Sequence, residues 1–567
     1  MYVNQFVCIC QIRLSRPISL LYRSFCLLYR VSLRESVFGC ENGLFDCYGK
    51  ETCVLQIKNL TITHKKDLRT IVENFNCVLN DGDKAVIIGE EGNGKSTLLQ
   101  WIYSPGLIGT YCEAKGERIG SGQRFGYLPQ ELPADDRNKS IYEYFTDEEA
   151  FFSQTPKELG RMAREFSLAP DFYYGGQTMG TLSGGEKVKA QMLRLLMAQP
   201  DILLLDEPSN DIDIETLEWL ERLILEWNRI VLFISHDETL IENTANVVIH
   251  MEQIRRKTQC RYTVARMPYL QYRQERSSRF EIQARQAALD RREKKLRDEK
   301  YRRIYQSVEH AQNVITRQNP HGGQLLKKKM HAVKSLERRF AREDAAMTKM
   351  PEEESAIFFK IGDAESAVPK GKTVLKFTLD ALYTPDKERI LSHNIVLQVR
   401  GPEKICIIGT NGAGKTTLLH QIAAQLLNRT DISAEYMPQN YEELLTLSMT
   451  PVDFLDRTGD KNERTRIRTY LGALKYTAEE MEHTIAELSG GQKAKLLLLK
   501  MSLSGADVLI LDEPTRNFSP LSGPVIRQVL QEFPGAVISI SHDRKYMEEV
   551  CDKIYRLTEN GLEESGI

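Results

Sequence analysis

Two lysines, Lys95 and Lys415, each close a glycine-rich run. Gly89-Glu-Glu-Gly-Asn-Gly-Lys-Ser-Thr97 follows the β-branched stretch Lys84-Ala-Val-Ile-Ile88 and precedes Leu98-Leu-Gln-Trp-Ile102. Gly409-Thr-Asn-Gly-Ala-Gly-Lys-Thr-Thr417 follows Lys404-Ile-Cys-Ile-Ile408 and precedes Leu418-Leu-His-Gln-Ile422. A buried strand, a glycine loop, Lys-Ser or Lys-Thr and then a helix form an arrangement that holds an oligophosphate. Gly89, Gly92 and Gly94, and Gly409, Gly412 and Gly414 in the second copy, let backbone N–H groups close around phosphate oxygens. The helix start adds the positive end of its dipole. Asn93, Thr97, Ala413 and Thr417 complete the loops. Lys95 and Lys415 are expected to reach the outer phosphates, and the Ser96 and Thr416 hydroxyls to ligand Mg²⁺.

The elements that must position these groups also occur twice, in one order. Phe125-Gly-Tyr-Leu-Pro-Gln130 matches Tyr436-Met-Pro-Gln439 as a short strand ending in glutamine. Leu182-Ser-Gly-Gly-Glu186, opening a helix through Met197, matches Leu488-Ser-Gly-Gly-Gln492. Asp201-Ile-Leu-Leu-Leu-Asp-Glu-Pro208 and Val508-Leu-Ile-Leu-Asp-Glu-Pro514 are apolar strands ending in two acids. Ile230-Val-Leu-Phe-Ile-Ser-His236 and Val537-Ile-Ser-Ile-Ser-His542 end in histidine. Ser183 lies 23 residues before Asp206, and Ser489 lies 23 before Asp512; each of those aspartates lies 30 before its histidine. Two homologous α/β domains follow. Val54–Ile57 and Thr61–Thr63 read as separate opening strands, with Phe75–Leu79 after them.

These ordered motifs resemble the ATP-binding-cassette (ABC) ATPases over both halves, from about residue 53 onward. The expected fold class is α/β: two P-loop ABC nucleotide-binding domains joined by a long basic helical hairpin. The ligand implied is ATP with Mg²⁺. Asp206 and Asp512 are placed at strand ends to orient Mg²⁺, together with Ser96, Thr416, Gln130 and Gln439. The resemblance implies that Glu207 and Glu513 polarise the attacking water, and that His236 and His542 contact the γ-phosphate. It also implies composite sites. Ser183, Gly184 and Gly185 would serve the ATP on Lys415, while Ser489, Gly490 and Gly491 would serve the ATP on Lys95. Adenine would stack on Tyr383 in the second half, with His64 at the equivalent place in the first.

Between the cassettes, residues 255–349 hold 26 Lys+Arg against 10 Asp+Glu, a net of +16 in a chain whose total is −2. Residues 273–316 lack Gly and Pro and read as one long helix, and Asn319–Gly323 as a turn. A second helix is expected from Gln324 to about Met347, with Leu326, Met330, Val333, Leu336 and Phe340 facing Ile304, Val308, Ala311 and Ile315. Lys327, Lys328 and Lys329 lie near the tip. That much positive charge points to a polyanion. Twin cassettes with this linker resemble the F subfamily of ABC ATPases. The subfamily implies a cytoplasmic monomer with its two cassettes paired, acting on ribosomal RNA and tRNA near the exit and P sites, in translation or antibiotic protection. Two departures stand out. Only about 30 residues separate the first loop from Gln130, and Thr515-Arg-Asn-Phe-Ser519 lacks the aspartates of Ser209-Asn-Asp-Ile-Asp213 in the D-loop.

The competing readings are the twin ATP-binding subunit of an importer and a DNA-associated cassette ATPase. The first is not expected to carry a long basic hairpin, and the second would show a zinc or coiled-coil insertion inside a cassette. At 41% hydrophobic and 27% charged, the composition is that of a globular protein. The apolar residues 1–33 are interrupted by Arg13, Arg16, Arg23 and Arg30, which excludes a membrane pore of the chain's own. Eleven scattered cysteines without a CxxC pair suggest a reducing compartment. Residues 1–50 carry five Arg and no acid before Glu35, which suits a transit peptide, a disordered tail or a misplaced start. The expected division is 1–50 as that extension, 51–255 first cassette, 256–350 linker and 351–567 second cassette.

Overall fold

The computed structural model describes residues 53–565 apart from 67, 120–121, 255–258, 315–319, 346, 349, 351–367, 385 and 475. The readings of residues 1–50 and of Ile315 therefore lie outside the described residues.

Each half is built on a six-stranded sheet of the same order. The first half contains β1 (Val54–His64), β2 (Thr70–Asn80), β3 (Lys84–Ile88), β4 (Cys112–Ile119), β5 (Phe125–Leu128), β6 (Ile202–Asp206), β7 (Ile230–Ile234), β8 (Val247–Ile254) and β9 (Gln259–Ala265). Its main sheet runs β5-β6-β7-β3-β8-β9, parallel except for the final hairpin. The second half contains β10 (Thr373–Tyr383), β11 (Ile390–Arg400), β12 (Lys404–Ile408), β13 (Ala434–Met437), β14 (Val508–Asp512), β15 (Ala536–Ile540), β16 (Lys553–Thr558) and β17 (Gly561–Ser565). It repeats the order as β13-β14-β15-β12-β16-β17. The central strands β3, β6, β7, β14 and β15 are buried at every residue, as expected of parallel strands covered on both faces.

An antiparallel layer completes each cassette: β2-β1-β4 in the first and β10-β11 in the second. In the first, Leu55, Ile57 and Phe75 share one core with Ile87, Leu98, Ile102 and Leu232, which clamps the loop-bearing helix Lys95–Tyr103 between the two sheets. The two opening strands expected over 54–63 are one strand. Its register shifts between Ile57 and Leu60, where Asn59 takes φ 48°, so a bulge stands where the pattern suggested a break.

The linker contains helices Tyr269–Val314 and Pro320–Ala345. The first is 46 residues and spans about 69 Å at 1.5 Å per residue. The expected turn over Asn319–Gly323 is corrected, because Pro320 to Gly323 are helical. Proline at a first helical position has no N–H to leave unsatisfied and a backbone angle suited to a helix. The facing stripe is corrected too. Val333 is buried, but Ile304 and Leu336 are about 40% exposed. The seam runs through Tyr301, whose ring meets Phe340 edge-on at 5.8 Å, and Arg297, whose guanidinium lies 4.5 Å over the Phe340 ring. Tyr301 shares the face of Tyr305 and Val308, while Ile304 and Ala311 turn outward. Arg297 and Lys294 also reach Asp344. Among the described residues no helix is long and apolar enough to cross a membrane.

Candidate functional site

The phosphate loops need glycine for a specific reason at Gly94. It takes φ 82°, and a Cβ there would lie 2.0 Å from Ile71 Cγ2. At Gly89 a Cβ would lie 2.2 Å from the Met251 carbonyl oxygen. Each lysine folds back across its loop. Lys95 Nζ donates to the carbonyls of Gly89 and Glu90 at 2.8 and 3.1 Å, and Lys415 Nζ to those of Gly409 and Thr410 at 2.8 and 3.0 Å. The buried Asn93 side chain ties its loop to Met251 O at 3.1 Å.

The acids lie where β6 and β14 end, beside these loops. Ser96 Oγ donates to Asp206 Oδ1 at 3.0 Å, and Thr416 pairs with Asp512. Burial pushes the Asp206 carboxyl up to about 6 and raises that of Asp512. Glu207 and Glu513 take left-handed φ values of 48° and 52°, a conformation uncommon for a non-glycine residue and shared by the two copies.

Around these two glutamates the copies part company. Glu207 accepts from Gln130 Nε2 at 3.0 Å and from Asn210 Nδ2 at 2.6 Å, and lies 3.2 Å from His236 Nε2. Burial pushes its carboxyl up, but His236, Lys95 and Asn210 together outweigh this and hold it at about 2. The other His236 nitrogen, Nδ1, lies 2.7 Å from the Phe518 carbonyl of the second cassette. Glu513, by contrast, is pushed up to about 8 by burial and by the charge of Asp512. Its histidine, His542, is lowered to about 4 by burial and then by Lys415, and its buried Nδ1 has no hydrogen-bond partner. Gln439 reaches across to Asp211 Oδ1 at 3.4 Å.

Ser183 and Gly184 of the first cassette face the second phosphate loop, while Gly185 does not line the space between them. A cavity of about 780 Å³ is lined by Lys415, Thr416, Thr417, Gln439, Asp512, Glu513 and His542 from the second cassette, and by Ser183, Gly184 and Asp211 from the first. Asn411 Nδ2 donates to Asp211 O at 2.6 Å, joining the second loop to the first D-loop. Tyr383 ends β10 beside Thr384, which lines the cavity, and is 44% exposed. Ser183 and Ser489 each cap their helix in a capping box with the residue three positions on, Glu186 or Gln492.

On the Lys95 side, the residues that reach the second cassette include two that motif reading passed over. Glu91 Oε2 accepts from Gly491 N at 2.5 Å. Glu90 accepts from Ser519 Oγ at 3.1 Å, Ser522 Oγ at 2.7 Å and Lys495 Nζ at 3.2 Å. Arg516 of the altered D-loop pairs with Asp211 at 2.9 Å. The available signal was a difference between the repeats: Glu90-Glu91 stands where the second loop has Thr410-Asn411.

A buried ion cluster joins the linker to both cassettes. Glu238 and Arg527 are both 3% exposed at their side chains and pair at 2.6 Å across the cassette boundary, and Arg273 of the first linker helix also reaches Glu238. Deeper on that helix Arg276 pairs with the buried Glu252 at 2.7 Å. At the far end of the linker, the side chains of Lys327, Lys328 and Lys329 are exposed.

The family comparison follows this geometry. The model described as ABC transporter matches residues 72–210 and again 392–516. The chain is thus a twin-cassette ABC protein. Its relatives include the ABC transporter F family member 4 of Arabidopsis thaliana, 23% identical over 568 residues, covering 89% of this chain and 75% of the relative. The chain is 26% identical over 530 residues to the Ribosome protection protein VmlR of Bacillus subtilis, covering 90% of this chain and 88% of the relative. It is 25% identical over 553 residues to the Energy-dependent translational throttle protein EttA of Haemophilus influenzae, covering 87% and 90%. Among solved structures, an archaeal ribosome recycling factor, aABCE1, in complex with the stalk protein aP1 aligns with a TM-score of 0.53 at 15% identity, over 89% of each chain, a likeness of fold.

Proposed function

We propose that this protein is an ATPase that binds nucleotide with Mg²⁺ in two composite sites, ATP in the one on Lys415, and acts on the ribosome through its basic hairpin, as a translation factor or in protection from an antibiotic. The observation that carries this reading is the linker. Its two long helices carry 19 Lys+Arg against 10 Asp+Glu, a net of +9, and stand on a buried ion cluster shared with both cassettes. The names of the relatives, a ribosome protection protein and a translational throttle, support it. Within it, Lys327, Lys328 and Lys329 contact RNA phosphates; the first cassette runs past the expected boundary at 255 to include β9 (Gln259–Ala265), the linker begins with the helix at Tyr269 and ends near residue 350, and 351–567 is the second cassette.

The site residues fit a Mg²⁺ ion. Asp512 Oδ2 is buried without a hydrogen-bond partner, and a hydroxyl from the loop stands beside each strand-end aspartate. Ser96, Asp206 and Gln130 would hold it in one site and Thr416, Asp512 and Gln439 in the other, where it would neutralise phosphate charge. The chain's own groups do the rest. Loop amides and Lys415 grip the phosphates, Ser183 and Gly184 close from the opposite cassette, and Tyr383 offers a ring to adenine. Glu513, next to the strand-end Asp512, takes up the proton of the attacking water. His542 offers a buried ring nitrogen toward the terminal phosphate. In the Lys95 site Glu207 and His236 hold the equivalent places.

Co-sedimentation tests the reading. A Glu207→Gln, Glu513→Gln protein with ATP is expected to pellet with ribosomes. Pelleting with membranes and not ribosomes would instead support the importer reading.

A further inference from the structure

The two phosphate loops differ at their second and third positions, and at both positions the first loop carries a carboxylate. In the Lys415 site these positions are Thr410 and Asn411, and the carboxylate of the interface belongs to the opposite D-loop. There Asp213 caps its helix by accepting from Thr216 N at 2.9 Å and also accepts from the Asn411 backbone. In the Lys95 site the pairing is reversed. The D-loop offers a hydroxyl, Ser519, and the phosphate loop offers the acid, Glu90. The carboxylate has changed sides. Lys495 and Ser522 complete its surroundings, so Glu90 is an ionised anchor fixed to the second cassette rather than a mobile surface acid.

The counterpart of Glu91 in the second loop is a neutral amide, Asn411, which lies beside Gly184 as Glu91 lies beside Gly490. The Glu91 carboxylate accepts from Gly491 N at 2.5 Å, and a Cβ added to Gly490 would lie 3.3 Å from its other oxygen. Gly491 is in the first turn of helix Gly490–Ser504, where backbone N–H groups have no partner within the helix and favour an anion. At the Lys415 site the matching helix start lines an open cavity with Ser183 and Gly184. At the Lys95 site the Gly491 amide already holds an anion from the chain itself.

We propose that Glu91 stands in for the terminal phosphate on the Gly491 amide, so that the Lys95 site is a latch between the cassettes and takes a nucleoside diphosphate in preference to a triphosphate. A diphosphate needs only the loop amides and Lys95, which leaves the Glu91–Gly491 contact in place. A third phosphate must evict Glu91 from the amide and then lie beside it, like charge against like. Glu90 restricts the escape of its neighbour because its own carboxylate is held by three groups of the second cassette. The proposal rests on the reading of Lys95 and Lys415 as nucleotide sites, and it concerns binding rather than turnover.

Equilibrium dialysis with labelled ADP and ATP on full-length Lys415→Ala protein isolates the Lys95 site. ADP is expected to bind at least as tightly as ATP. Adding Glu91→Asn, which copies the second loop, is expected to tighten ATP at least ten-fold and to change ADP less than three-fold. A clear ATP preference that Glu91→Asn leaves unchanged would overturn the proposal. Native mass spectrometry of the unmodified chain, equilibrated with both nucleotides, gives a reading that does not depend on any variant folding. One ADP and one ATP per chain supports the latch, and two ATP overturns it. Absence of nucleotide from both sites would overturn the ATPase reading and the latch with it.

Discussion

At Lys415 the facing D-loop is met by a neutral amide, Asn411, and the space between the cassettes is a cavity of about 780 Å³. At Lys95 the same loop positions are Glu90 and Glu91, and both carboxylates are spent on the second cassette. The difference extends to the water-activating end. His236 is engaged at both ring nitrogens, by Glu207 and by the Phe518 carbonyl, whereas His542 keeps a buried Nδ1 without a partner. Glu207 is held at about 2 and Glu513 is pushed up to about 8. One strand-loop-helix frame thus supports a tied site and an open one. The residues that decide between them are those that cross the interface, not those that define the motif.

Removing both glutamates should erase the comparison. Glu207→Gln with Glu513→Gln is expected to lower steady-state ATP hydrolysis by about 10²–10⁴-fold, the usual loss of a group that handles a proton in the transition state. ATP binding should persist, because Lys415, Thr416 and Asp512 remain. Near-normal turnover would end the assignment of these residues.

The join between linker and cassettes is open to a stability test. Glu238→Gln leaves buried Arg527 with Glu549 as its remaining ion pair and Arg273 with only the longer contact to Glu242 at 4.0 Å. A cost of about 3 kcal/mol is expected, at the low end for breaking a buried pair because Glu549 remains. Urea unfolding of the two proteins measures it, and an unchanged midpoint would show that the cluster does not hold the cassettes together.

The hairpin can be separated from both sites. Replacing Lys327, Lys328 and Lys329 with Gln should weaken ribosome binding and reduce its salt dependence by up to about three in log–log slope, about one per lost phosphate contact. ATPase activity without ribosomes should stay near wild type. A salt-independent association would contradict an RNA partner.

The smallest effect is in acid. Burial alone would raise Glu90, but Lys495, Ser522 and Ser519 outweigh it and hold it below its ordinary value. A carboxylate lowered by folding contributes stability above its unfolded value and loses it as pH falls through the folded one. The stability difference between wild type and Glu90→Gln should therefore be present at pH 7 and fade at acid pH. A difference that grows on acidification would mean that Glu90 is not held ionised.

Much of this was legible because it is local. Strand ends at Asp206 and Asp512, loops at Lys95 and Lys415, and helix starts at Ser183 and Ser489 are each specified within about ten residues, and equal spacings in the two halves put them in register. The contacts that make the sites unequal were hidden for the opposite reason. Glu91 and Gly491 are 400 residues apart, and Glu90 and Ser522 432. Glu90 and Glu91 also occupy loop positions where the motif accepts any residue. In the linker the second-helix stripe keeps its phase at Leu326, Met330, Val333 and Phe340. On the first helix Ile304 and Ala311 turn outward, and Tyr301 and the Arg297 stem, large groups with polar ends, cover Phe340 instead.

The inequality of the two sites is tested most directly by the two single variants. Steady-state ATP hydrolysis is measured for Glu207→Gln and Glu513→Gln side by side, each against wild type. The account predicts that Glu513→Gln loses at least ten-fold while Glu207→Gln loses less than three-fold. Equal losses, or a larger loss from Glu207→Gln, would contradict it.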